Sequence, residues 1–156
     1  MEKNHTWLSA ELFEEFRGKD LPIGEYVIVS GWTLAARWIR KCSDIDIAVS
    51  DGLWENLLRT YLPTVGNNIV RIVISENIEA FGNWSFIEFE SSNWNPIIEE
   101  QISRAEIINW LSFQSLRDCI WFKSKSWRDK DKQDIGLIKS YIEKHPWEKD
   151  KIDFLF

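Results

Sequence analysis

Two carboxylates stand one residue apart in Asp44-Ile45-Asp46, at the head of an apolar run that continues to Val49. Side chains of an extended chain alternate between faces, so Asp44 and Asp46 point to one side and Ile45 and Ile47 to the other. Carboxylates held side by side repel each other, and the pair is costly unless a cation lies between them. Mg²⁺ suits such a place because it takes carboxylate oxygens together with substrate phosphates. Upstream, Tyr26-Val-Ile-Val29 reads as a buried strand ending in the small-residue turn Ser30-Gly31, which opens a helical stretch. Backbone N–H groups at a turn of this kind can hold a phosphate. The segment from Tyr26 to Ser50 therefore combines a metal site with a phosphate site.

The order of these parts resembles the nucleotidyltransferase superfamily, the DNA polymerase beta-like fold. Its motif is an apolar residue, Gly, then Gly or Ser, a gap of about ten residues, and Asp-x-Asp. Here the gap runs from Trp32 to Ser43, and Ser30 stands where the first Gly is usual. A second patch, Phe122-Lys123 followed by Arg128-Asp129-Lys130-Asp131-Lys132-Gln133-Asp134-Ile135, looks like the closing "WK…RpKDlaDI" segment of small bacterial predicted nucleotidyltransferases. The resemblance spans residues 25–143.

The resemblance implies Mg²⁺-dependent transfer of a nucleoside monophosphate from an NTP to a hydroxyl of an acceptor, with release of pyrophosphate. Asp44 and Asp46 would be metal ligands. A third carboxylate on a neighbouring strand would hold a second metal and draw the proton from the attacking hydroxyl. Glu79 is preferred by its order in the chain and by the family's third acidic position, where Asp is commoner. Glu88 and Glu90 are rivals, since Ile87-Glu88-Phe89-Glu90 alternates in the same way. Ser30 and Gly31 would bind phosphate through the backbone. Lys123 and Arg128 would clamp the triphosphate tail, drawn from a basic cluster that also holds Lys125, Lys130 and Lys132. Against this stands a plain solvated helix end. Asp131 and Asp134 read as helix-start residues, with Asp134 placed to orient Arg128. Arg40 precedes the acidic strand and could reach the site.

Relatives of the antibiotic-modifying kind use a small-molecule acceptor, and those of the toxin–antitoxin kind use a protein or a tRNA end. All three stay open. The chain shows no separate acceptor-binding segment, so a homodimer or a partner protein would complete the site. The departures at Ser30 and Glu79 also suit a second reading, a non-catalytic, antitoxin-like component that binds a nucleotide or a partner.

These residues must be positioned by one domain, residues 1–156, which is 44% hydrophobic with ten Trp. A net charge of −6 disfavours a broad nucleic-acid surface. Two Cys with no metal-ligand spacing fit a cytoplasmic protein, and no apolar run reaches the roughly 18 residues of a membrane span. The predicted architecture is α/β (α+β), a mixed twisted sheet of the nucleotidyltransferase fold flanked by helices, with a helical C-terminal part. Strands are expected at 25–30, 45–49, 69–74, 78–81, 86–89 and 105–110. Helices are expected from Thr6 to about Gly18, at Trp32–Arg40, after an Asp51 cap, from Pro96 to Ile102, from a Ser115 cap to about Lys125, and at Lys130–Lys144. Pro63 to Asn68 reads as a break, and the tail from Lys151 to Phe156 as docking on the body or a partner. Trp32, Trp38, Trp54 and Trp121 occupy core-like positions, whereas Trp84, Trp94 and Trp127 lie in or beside loops. His5 and His145 receive no role.

Overall fold

The computed structural model describes residues 10–85 and 97–151. Helix α1 (Ala10–Gly18) leads into β1 (Tyr26–Val29), α2 (Gly31–Ala35), β2 (Ile45–Val49) and α3 (Asp51–Leu57). Strands β3 (Pro63–Gly66), β4 (Ile69–Ser75) and β5 (Ile78–Phe81) follow, then α4 (Ile98–Ser103), β6 (Glu106–Ile108) and β7 (Leu111–Phe113). The described residues end with α5 (Leu116–Ser126), α6 (Asp129–Lys144) and a 3₁₀ turn at Pro146–Lys151. The Thr6 cap, the strand at 86–89, Pro96, Trp94, His5 and the tail beyond Lys151 lie outside the described residues.

Among the described residues, seven strands form one mixed sheet in the order β3-β4-β5-β2-β1-β7-β6. The pairs β2–β5 and β1–β7 are parallel, and the other neighbours are antiparallel. Helices flank the sheet, in agreement with the predicted α/β class. Period-two alternation assigns the two faces. Ile28, Ile45, Ile47, Val49, Ile72, Ile74 and Ile78 pack with Leu12 and Phe16 of α1 and Leu53 and Leu57 of α3. Fully buried Trp32 anchors this core edge-on to Phe16, with ring centroids 6.0 Å apart. The opposite face carries Val27, Val29 and Ala48 beneath Ile98 and Ile102 of α4. The α5–α6 pair has its own cluster of Leu116, Cys119, Ile120, Ile138 and Ile142, joined to the body through Leu34. No helix of the described residues is long and apolar enough to cross a membrane.

Several elements differ from the sequence reading. The expected helix over Trp32–Arg40 stops at Ala35. The backbone tightens there into i→i−3 bonds, the Arg37 N–H to the Leu34 carbonyl and the Trp38 N–H to the Ala35 carbonyl, both at 3.1 Å, while the buried Arg37 donates from Nη1 to the Thr33 carbonyl at 2.9 Å. The chain then turns through Trp38 at φ 63°, which leaves that side chain exposed rather than in the core. The break at Pro63–Asn68 is instead a hairpin, because Asn67 and Asn68 both adopt positive φ and return β3 along β4. Every residue of β3 is exposed, so no apolar alternation announces it. Residues 105–110 likewise begin a hairpin, with Asn109 and Trp110 at positive φ between β6 and β7. Ser50, not Asp51, caps α3, its Oγ accepting from the Leu53 N–H at 3.1 Å.

Candidate functional site

The sheet face under α4 holds the acidic residues. Val29 of β1 pairs with Asp46 of β2, and Asp46 pairs in parallel register with Glu79 of β5. Glu79 in turn faces Val73 of β4. Asp46 and Glu79 are thus lateral neighbours on adjacent strands, pointing away from the main core. They line a cavity of about 460 Å³ together with Ser30, Ala48, Arg71 and Phe81 from the sheet side. Trp84 and Ile98 add apolar wall, and Phe122, Lys123, Arg128 and Asp131 close it from the helical side. Asp44, the residue before β2, is exposed. The rivals Glu88 and Glu90 lie outside the described residues.

Crowding of negative charge marks Asp46. Burial chiefly, then the charges of Asp44 and Glu79, push its carboxyl up to about 6, while Arg71 and Lys130 act the other way. Glu79 Oε1 accepts from Arg71 Nη1 at 3.2 Å, and the Arg71 guanidinium also lies over the Phe81 ring at 5.7 Å. The donor set suits a hard divalent cation: carboxylate oxygens only, two of them in register and one of those charge-strained. Among the described residues, no three ligating side chains stand grouped around one point. Arg71 supplies positive charge at Glu79, while exposed Asp44 acts on the charge of Asp46 but does not line the cavity.

At the turn, Ser30 adopts φ 63° and ψ −132°, a conformation that costs a non-Gly residue where the motif's first Gly is usual. Its N–H donates to Gln114 Oε1 at 3.4 Å on the cavity wall. Gly31 is needed for a different reason. A Cβ there would lie 2.5 Å from Cys42 Sγ, so the turn and the loop before β2 touch at that point. The Cys42 thiol donates to the Asp44 carbonyl at 3.2 Å, which ties the same loop to the acidic pair. Helix α2 has only five residues, so its dipole is small.

The basic cluster divides. Lys123 and Arg128 both reach the cavity, yet Lys123 is buried, its Nζ 2.8 Å from Asp134 Oδ2 and 3.8 Å from Asp131 Oδ1. Arg128 caps α6 and pairs with Asp131, Nε to Oδ2 at 2.8 Å, while its side chain stays 59% exposed. The expected Asp134–Arg128 pair is not formed. Asp134 lies further along α6 and grips Arg40, through Nε at 2.7 Å and Nη2 at 2.9 Å, as well as Lys123. Arg40 is therefore committed to α6 and not to the carboxylates. Burial pushes the carboxyls of Asp131 and Asp134 up, but hydrogen bonds from Arg128 to the first, and from Arg40 and Lys123 to the second, leave both below the usual range. Lys125 lies over Trp121 and Lys132 over Trp127.

Sequence reasoning passed over Arg71, Gln101 and Gln114. Alternation in Ile69-Val-Arg71-Ile-Val73 would have put Arg71 on the face of Glu79, opposite Ile72 and Ile74. Gln114 Nε2 donates to Gln101 Oε1 at 3.1 Å inside the cavity wall, a pairing without a local signal. Comparison with protein-family models, curated proteins and solved structures returned no match to this chain.

Proposed function

We propose that this chain is a Mg²⁺-dependent nucleotidyltransferase, moving a nucleoside monophosphate from an NTP to an acceptor hydroxyl. The in-register pair Asp46–Glu79, with Asp44 beside it and a cavity in front, is the observation that carries the reading. Mg²⁺ bound there supplies positive charge to the phosphates and to the attacking oxygen. Asp46 would ligate it from β2 and Glu79 from β5, and Asp44, which precedes β2, would complete the set by turning in toward them. The acceptor oxygen would bond to the α-phosphorus, its proton passing to a carboxylate of this set, as the bond to the β-phosphate oxygen breaks and pyrophosphate leaves. The Ser30 N–H is placed to exchange its long contact with Gln114 for a phosphate oxygen. Arg128, half-exposed on the opposite wall and held by Asp131 through Nε and Nη2, would meet the outer phosphates with its remaining N–H groups. Lys123 is better read as the pillar that holds Asp131 and Asp134 behind that wall than as a free phosphate ligand. Phe81, Trp84 and Phe122 offer apolar surface for a base.

The acceptor class remains as the resemblance leaves it: a small molecule, a protein or a tRNA end, with a homodimer or a partner protein completing the acceptor side. Free Cys42 and Cys119 fit a cytoplasmic setting. A second reading, nucleotide binding without turnover as in an antitoxin-like component, draws support from the Arg71–Glu79 contact and from Ser30 at the motif's Gly position.

Calorimetric titration with ATP in the presence and absence of Mg²⁺ tests binding, and pyrophosphate release with candidate acceptors tests turnover. Binding that needs Mg²⁺ and disappears in Asp44→Asn/Asp46→Asn supports the proposal. Equal MgATP affinity in parent and double variant would refute it. Binding without pyrophosphate release across all three acceptor classes selects the second reading.

A further inference from the structure

We propose that Arg71 is an exchangeable counter-ion. It holds Glu79 until a divalent cation takes the carboxylate, and then turns to an anionic group of the ligand in the cavity. The inference rests on the reading of Asp44, Asp46 and Glu79 as metal ligands.

Three observations carry it. Arg71 is not the register partner of Glu79; that place belongs to Val73, so the guanidinium reaches diagonally along the face. The contact joins Nη1 to Oε1 at 3.2 Å, without the paired geometry of a strong guanidinium–carboxylate fork. Both side chains are also partly open to solvent, 26% for Arg71 and 33% for Glu79, and ion pairs of that exposure hold weakly. A divalent cation, shared with the neighbouring Asp46, competes well for such a carboxylate. Arg71 does not lose its place when released. The Phe81 ring lies under its guanidinium at 5.7 Å, and both residues line the cavity where an anionic ligand would arrive. A phosphate-bearing ligand fits best, because its charge replaces the carboxylate that Arg71 gives up.

An ordinary cross-strand pair makes a different prediction from an exchangeable one, and the sign of two affinities separates them. The full-length parent, Arg71→Gln and Arg71→Lys are titrated calorimetrically with Mn²⁺ alone, then with ATP at saturating Mn²⁺. Circular dichroism monitors folding. Removing the competing cation should tighten Mn²⁺ binding about fivefold in Arg71→Gln, equivalent to about 1 kcal/mol. The same change should weaken ATP binding several-fold, and Arg71→Lys should move both affinities in the same directions by less. Unchanged or weaker Mn²⁺ binding in the folded variants, while the parent binds Mn²⁺, overturns the exchange and leaves the proposed function standing. Tighter Mn²⁺ binding with unchanged ATP affinity also overturns it, since Arg71 would then never reach the ligand. Absence of Mn²⁺ binding in parent and variants alike overturns the metal reading and the exchange together.

Discussion

Asp46 carries the clearest electrostatic signature in the molecule. Burial and the charges of Asp44 and Glu79 push its folded-state carboxyl up to about 6, above the ordinary value of 3.8. A group whose pKa is raised by folding contributes full stability below its unfolded value and loses it as pH rises through the folded value. Ionised Asp46 therefore weighs against the fold at pH 8 and not at pH 3.5. Asp46→Asn should stabilise the protein by roughly 2 kcal/mol at pH 8, less than the full shift implies because the group is partly solvated, and by nothing at pH 3.5. Urea unfolding at the two pH values measures this, and a variant no more stable than the parent at pH 8 would show that the charges are not crowded. Mg²⁺ offers a parallel check at the same residue. It should raise the Tm of the parent at pH 8, leave it unmoved at pH 3.5, and have little effect on Asp46→Asn.

At the scale of elements, the turn from β1 into α2 fixes where the acidic strand starts. Gly31 allows the turn to meet Cys42 closely, and Cys42 bonds the Asp44 carbonyl in turn. Gly31→Ala should cost about 1–3 kcal/mol through overpacking. Most of that cost should vanish in a Cys42→Ala background, where the sulfur that the new methyl meets is gone. A double-mutant cycle by chemical denaturation reads the coupling, and additive effects would place the strain elsewhere. Ser115 accepts from the Asp118 N–H at 3.1 Å and starts α5 as its side-chain chemistry foretold. Beyond Gly31 the apolar spacing continues to Ile39 although α2 stops at Ala35, and the buried Arg37 just past its end finds its partners in Glu106 and Gln114 far along the chain.

Over the whole molecule, the Arg40–Asp134–Lys123–Asp131–Arg128 chain of ion pairs joins the loop after α2 to α5 and α6. It sets the helical wall of the cavity against the carboxylate wall. Asp134 is 3% exposed, so Asp134→Asn leaves the buried Lys123 with only the longer contact to Asp131, 3.8 Å away, and Arg40 without a carboxylate. Breaking a fully buried pair costs about 3–5 kcal/mol, and the cost here should be smaller, about 2–3 kcal/mol, because Asp131 remains near Lys123 and Arg40 is partly solvated. The pH dependence has the opposite sign to that of Asp46. A depressed folded pKa contributes stability that is present above the unfolded value and disappears as pH falls through the folded one. The parent should therefore lose stability below about pH 4, whereas Asp134→Asn should be weaker at pH 7 and respond less to acid. Thermal unfolding across pH 2–7 tests this; parallel curves for the two proteins would remove Asp134 from the acid response.

The facing of Asp44 and Asp46, the apolar interior of β2 and the existence of the last two helices were legible because each follows from period-two or helical spacing within a few residues. The neighbour of Asp46 was not legible in that way. Glu79 stands beside it because β5 joins β2 in parallel, one register among several that the local pattern allows. The same holds for the partners of the basic cluster. Arg40 meets Asp134 across 94 positions of sequence, and that pairing holds Arg40 to α6, whereas Arg128, paired with Asp131, still exposes 59% of its side chain at the cavity. Side-chain spacing determines which face a charge occupies, but only tertiary packing decides what opposes it, because burial and Coulomb energy depend on distance in space and not along the chain.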